Sequence, residues 1–333
     1  MEFFNESKKY DGYRDLFEYD EGFRSFCEQA DGGKSVHAYI IECKDKILYP
    51  DLLKACASEV LGYRRGEKGD LLVFGGTHPD VSFYPADGRK RLSAEDVRSV
   101  LDDAYTKPTL SDKKVFCLSV EQRNDEIWQN KLLKLLEEPP KGVLILIAVS
   151  NAQELLSTVR SRCQTVNMGE FEEKAVADYL NKSRNVSRSE AEIAARLSRG
   201  SIAKALYMSS GSGYIDCVSD VVDLFCNMTS TKKMADFLPT IAKYKDRYED
   251  FFEIVENVLS DAVLIKINAS QVLNLFKKDD IMKIAEFYPR EALLRAIPLV
   301  EEAKKQLDGY GSFAVVTDNL FLRILEVRYL CRQ

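Results

Sequence analysis

A chain of 333 residues, 45% hydrophobic and 30% charged, has ordinary globular composition and enough material for two or three cores. Its 47 basic and 53 acidic residues leave a formal charge of −6, which excludes a bulk electropositive nucleic-acid binder. Its eight cysteines (27, 43, 56, 117, 163, 217, 226, 331) form no Cys-x-x-Cys pair, and only His37 and His78 accompany them, so neither a disulfide framework nor a zinc cluster is expected.

Free thiols at this density point to a reducing compartment. The opening stretch MEFFNESKKYDGYRD has no apolar run of signal-peptide length, and the longest apolar run, Val143–Val149, is far short of a membrane span. A cytoplasmic protein without a membrane partner is expected.

The first half mixes short apolar strands with helical spacing. Ala38–Cys43 reads as a buried strand, and Pro50–Leu61 as a helix with proline in its first turn. Leu71–Phe74 and Val81–Tyr84 read as further short apolar or alternating pieces. Ser93–Tyr105 opens with Ser93 and Asp96 at capping-box spacing. Lys114–Val120 is a strand, Asn130–Glu138 an amphipathic helix stopped by Pro139 and Pro140, and Val143–Val149 a continuous apolar strand. Such runs belong to a parallel sheet covered on both faces, which makes this an α/β domain of the doubly wound kind.

Beyond about residue 169 the strands stop. Glu170–Lys182, Ser187–Arg199 and the segment from Gly200 to Met208 read as helices, and Ser209–Gly213 as a linker. The rest is helical, as in Phe251–Ile267 and Phe313–Leu330. The expected layout is an α/β domain at 1–168, a small helical domain at 169–210 and an all-helical domain at 211–333.

Four segments carry a resemblance. They are His37-Ala38-Tyr39; His78-Pro79-Asp80; Asn130–Pro140, reading NKLLKLLEEPP; and Leu155–Cys163, ending in Ser161-Arg162-Cys163. Together they resemble the bacterial DNA polymerase III clamp-loader family, the gamma/tau and delta-prime subunits, over roughly residues 36 to 210. The resemblance implies an AAA+ (P-loop NTPase-like) fold with a small helical lid and a C-terminal collar.

The residues depart from that family where an ATP site would stand. Its phosphate-binding loop follows the first strand as GPxGxGKT, because glycines let backbone N–H groups approach phosphate and the lysine reaches the outer phosphates. Here that frame reads Cys43-Lys44-Asp45-Lys46-Ile47-Leu48-Tyr49-Pro50: no glycine, Tyr49 for the lysine and Pro50 for the threonine. Cys43, Lys46 and Leu48 bring side chains where phosphate needs bare backbone, and Asp45 adds a repelling charge. Ser119-Val120 stand where an Asp-Glu pair would hold magnesium and orient water, with Glu121 next door. In Gly200-Ser201-Ile202-Ala203, Ala203 replaces the sensor arginine, with Lys204 beside it. No ATP hydrolysis, cofactor or bound metal is expected, and Gly62–His78 lacks the cysteines of the zinc module that many relatives carry there.

Ser161-Arg162-Cys163 is intact, and in the family this arginine enters the ATP site of the adjacent subunit. The resemblance therefore implies a delta-prime-type subunit that donates Arg162 in trans, on a helix expected at Glu154–Arg162, with gamma/tau and delta as partners. The sliding clamp and primed DNA would be reached through the assembly. Two alternatives stay open, an AAA+ ATPase with an unconventional pocket and the clamp-opening delta subunit. For the remaining candidates the plain readings are preferred: Cys163 as a buried small residue, His78 as a turn or surface residue, and Lys131 and Lys134 as a solvated face. Leu293, Ile297 and Val300 are read as packing.

Overall fold

The computed structural model describes residues 13–31, 36–86, 89, 91–121, 126–269, 272–309 and 311–331. The chain divides into two compact units: one runs to Val186 and includes Arg199–Ala203, and the other holds Ser187–Ser198 and the chain from Lys204 onward.

The first unit is built on a parallel sheet ordered β2-β3-β4-β1-β5: β1 Ala38–Glu42, β2 Val81–Tyr84, β3 Lys114–Val120, β4 Val143–Val149 and β5 Gln164–Asn167. In register, Ile40 lies opposite Ile147 of β4 and Thr165 of β5. Alternation along β1 sends Ala38 and Ile40 into a core with Phe116, Trp128, Leu132 and Val159. On the other face, Tyr39 meets Phe26 edge-on at 5.0 Å between ring centroids. Helices cover both faces, which is why β4 is apolar at every position and buried throughout.

In chain order, the helices of this unit are α1 Arg14–Phe17, α2 Glu21–Asp31, α3 Tyr49–Val60, α4 Lys68–Phe74, α5 Ala94–Ala104, α6 Glu126–Glu137, α7 Ser157–Arg160 and α8 Glu173–Arg184. The Ser93 and Asp96 capping box at the start of α5 is formed. Two expectations need correction, and one strand was not foreseen. Leu71–Phe74 is the end of helix α4, because Asp70 turns inward to the Arg14 guanidinium, 2.7 Å away. Gln164–Asn167 is an edge strand; its polar, half-exposed sequence hid it. Glu154–Arg162 is not one helix: a 3-10 turn at Ala152–Glu154 and the four-residue α7 are separated by the extended Leu155 and Leu156. The break has a cause, since the Leu156 amide donates to the buried Gln129 side chain at 2.7 Å rather than to its own helix.

The second unit is helical: α9 Arg188–Leu197, α10 Ile202–Ser209 (from Lys204 on), α11 Tyr214–Asn227, α12 Thr231–Ala235, α13 Leu238–Ala242, α14 Tyr248–Lys266, α15 Lys278–Phe287, α16 Arg290–Asp308 and α17 Phe313–Leu330. Its core is aromatic. Phe251 packs edge-on against Phe252, Phe313 and Phe321. Leu293 and Val300 are buried as packing residues. Among the described residues no helix is long and apolar enough to cross a membrane.

Candidate functional site

In an open parallel sheet, loops at the carboxyl ends of the strands line the crevice where ligands bind. At this rim the segment after β1 is closed by its own side chains. Cys43 and Leu48 are buried, and Lys46–Leu48 makes a 3-10 turn into α3. Tyr49, at the lysine position, is fully buried, and its hydroxyl donates to the Cys43 carbonyl at 3.0 Å. Pro50 removes a donor from the helix start.

Asp45 does not cap its own turn. Its carboxylate accepts from the Ser201 hydroxyl at 2.8 Å and from the amides of Ile202 at 2.6 Å and Ala203 at 3.3 Å. It therefore satisfies the free amides at the start of α10, where an anion is favoured. Gly200 lets the turn before α10 lie against Phe171: its φ is +85°, and a Cβ there would lie 2.7 Å from the Phe171 carbonyl oxygen. The remaining cleft, about 360 Å³, runs between Cys43–Asp45, Met168–Phe171 and Gly200-Ser201. Its one ammonium, Lys44, is 2.9 Å from the Glu170 carboxylate. Two carboxylates and one ammonium make this space repellent to polyphosphate.

The Ser119 hydroxyl at the end of β3 is buried without a hydrogen-bond partner among the described residues, and Val120 is core. The Glu121 backbone carbonyl accepts from the Lys46 ammonium. Lys204 belongs to the second unit, where it pairs with Glu253 of α14. The structure thus brings Cys43, Asp45 and Ala203 together, and Lys46 to Glu121.

Arg162 lies at the opposite rim. Strand β5 is parallel to β1, so the turn before Gln164 sits at the amino ends of the strands. Three of the four resembling segments meet there at the end of α6: the His37 ring lies 2.9 Å from the Leu136 carbonyl through Nε2, and the Arg162 guanidinium is 2.7 Å from the Glu137 carboxylate. Leu156 N–H is held by Gln129, near the start of α6. Arg162 also donates to the Thr158 carbonyl at 2.8 Å, and its side chain keeps 34% exposure. Ser161 is exposed, with its hydroxyl on the same carbonyl at 3.1 Å. Cys163 packs against the core, and burial pushes its thiol up to about 12, the state of an inert packing group. Burial does the same to Cys43, also to about 12.

His78 is in a turn, as expected, but buried rather than on the surface. Its Nδ1 accepts from the Asp80 amide at 3.2 Å, and Nε2 faces the Tyr63 hydroxyl at 3.0 Å. Asp80 in turn holds the Thr109, Leu110 and Ser111 amides. Sequence reasoning missed Gln129, Glu137 and the capping role of Asp45. A glutamine beside Trp128 on the apolar face of a helix was a usable signal for the first; the other two depend on contacts between distant segments.

Comparison with known proteins agrees with these segments. The family model described as "DNA polymerase III, delta subunit" matches residues 20–172. The chain is 26% identical over 260 residues to DNA polymerase III subunit delta' of Bacillus subtilis, covering 75% of this chain and 77% of that one. It is 23% identical over 317 residues to the subunit delta' of Haemophilus influenzae, covering 92% and 95%. Against the subunit delta' of Escherichia coli it is 30% identical over 148 residues, 44% of each chain.

Proposed function

We propose that this chain, which belongs to the delta-prime family of DNA polymerase III clamp-loader subunits, works in the cytoplasm as a nucleotide-blind member of that assembly. On this reading it binds no ATP and offers Arg162 to the ATP site of an adjacent gamma/tau subunit. The parts 1–168, 169–210 and 211–333 act as AAA+ domain, lid and collar. With gamma/tau and delta, it helps place the sliding clamp on primed DNA.

The observation that carries the reading is the opposite fate of the two rims. At the carboxyl rim, Tyr49 fills the lysine position, and the Asp45 carboxylate is fixed in the loop after β1 by its bonds to the start of α10. At the amino rim, a guanidinium remains on the surface. A guanidinium delivered in trans neutralises charge on the transferring phosphoryl group and is worth about 10³- to 10⁵-fold at the site it serves.

The test is reconstitution with gamma/tau and delta. Arg162→Ala should still assemble, but clamp- and DNA-stimulated ATPase should fall sharply; unchanged turnover removes the finger assignment. Calorimetry on the isolated chain should give no heat of binding at millimolar ATP, and a binding isotherm would restore the reading of an ATPase with an unconventional pocket.

A further inference from the structure

The Arg162 guanidinium is already occupied. One nitrogen is 2.7 Å from the Glu137 carboxylate; the other donates to the Thr158 carbonyl at 2.8 Å and the Ser161 hydroxyl at 3.3 Å. Glu137 is fixed by position: it is the last residue of α6, whose face of Trp128, Gln129, Leu132, Leu135 and Leu136 is buried and whose end is tied by His37. Carboxylates at the C-terminal end of a helix meet its negative pole, and Glu138 follows directly, so this corner gains from a nearby cation.

We propose that Glu137 is a positioning residue that parks Arg162 on its own domain until a neighbour presents a triphosphate. The inference rests on the arginine-finger reading above. The pair is 34% and 51% exposed, so it is a weak restraint; pairs of this kind shift an equilibrium by up to about fivefold. A triphosphate offers more charge and bidentate acceptors, and outcompetes one carboxylate and one carbonyl. An empty neighbouring site does not. The engaged and parked positions are thus two states whose balance the neighbour's nucleotide shifts.

The test uses the loader reconstituted from gamma/tau, delta and this chain, read as ATPase with clamp and primed DNA. Glu137→Gln keeps shape and removes charge; it should raise kcat about two- to fivefold with KM for ATP unchanged. Glu137→Asp should restore the native rate. In the Arg162→Ala background, Glu137→Gln should change nothing, because the two residues act as one unit. If Glu137→Gln leaves kcat unchanged or lowers it while Arg162→Ala is impaired, parking is wrong and the finger stands. A response to Glu137→Gln without Arg162 also overturns parking. If Arg162→Ala is fully active, the finger reading falls, and parking with it.

Discussion

Asp45 illustrates how one side chain changes the meaning of a loop. In a phosphate-binding loop the residues after the first strand leave their amides free for a ligand; here Asp45 of that loop is itself an acceptor, at the start of a different helix, α10, 156 residues before Ser201 in sequence. Charge-assisted bonds of this sort contribute roughly 1.5–3 kcal/mol each when intact, and losing a partner leaves buried donors without an acceptor. Asp45→Ala should therefore lower the denaturant midpoint by an amount equal to about 1–3 kcal/mol, and Asp45→Asn by less, since the amide oxygen still accepts. Neither variant should gain ATP binding, because Tyr49 still fills the lysine position; gain of ATP binding by either would mean that Asp45 alone excludes nucleotide.

The same scale sets a pH dependence. Burial depresses the pKa of His78, against the opposing charge of Asp80. For Asp80, burial works upward, but the amides of Thr109, Ser111 and Leu110 outweigh it and hold the carboxyl low. Both folded-state values lie below the unfolded ones. Their contributions are thus complete above the unfolded pKa and are lost as pH falls through the folded one. Stability should decline from about pH 6.5 downward through His78, and again below about 4 through Asp80. In His78→Gln the first decline should be missing from a urea series between pH 7 and 5; an unaltered slope would place that titration elsewhere.

Among the elements, α4 depends on a buried ion pair. The Arg14 guanidinium lies 2.7 Å and 2.8 Å from the two Asp70 oxygens and stacks 4.8 Å from the Phe74 ring centre, while Asp70 also accepts from Ser58 and the Gly66 amide. Removing one partner of such a pair strands a charge. Arg14→Ala should cost about 3–5 kcal/mol, while a double change to apolar residues of similar volume should cost far less. Thermal unfolding of the single and double variants would separate these cases. This element also marks the limit of reading the sequence. Strands β1, β3 and β4 announced themselves as apolar runs, and α5 and α6 by cap and period, because those signals are local. Helix α4 and strand β5 did not: the first is held by a residue 56 positions away, and the second is a polar edge that pairs on one side only. The site divides the same way. The missing glycines after β1 were legible residue by residue, but what Asp45 and Glu137 hold became visible only with the fold.

At the scale of the molecule, the last helix carries the remaining question. Helix α17 is apolar nearly all round: Phe313, Leu320, Phe321 and Ile324 are buried, while Val315, Leu322 and Tyr329 stay exposed at intervals of seven residues. Residues seven apart return to one helix face, so these three form an apolar stripe turned to solvent. Such a stripe is costly to leave wet, and on the proposed reading the collar of the assembly covers it. The inner face needs no such help. Arg328 is buried, donates to the Met228 carbonyl at 3.1 Å, and lies over the Phe287 ring. The two faces can therefore be separated by mutation. Leu322→Asp touches only the outer face and should change the stability of the isolated chain by no more than about 0.5 kcal/mol. It should nonetheless abolish or greatly weaken recovery with gamma/tau and delta on size exclusion, since a charge buried without a partner in an interface is heavily penalised. Arg328→Ala should do the reverse in order of severity, unfolding the helical unit before assembly can be scored. If Leu322→Asp enters the assembly as readily as the native chain, the stripe does not face the collar, and the contact must be sought on another helix.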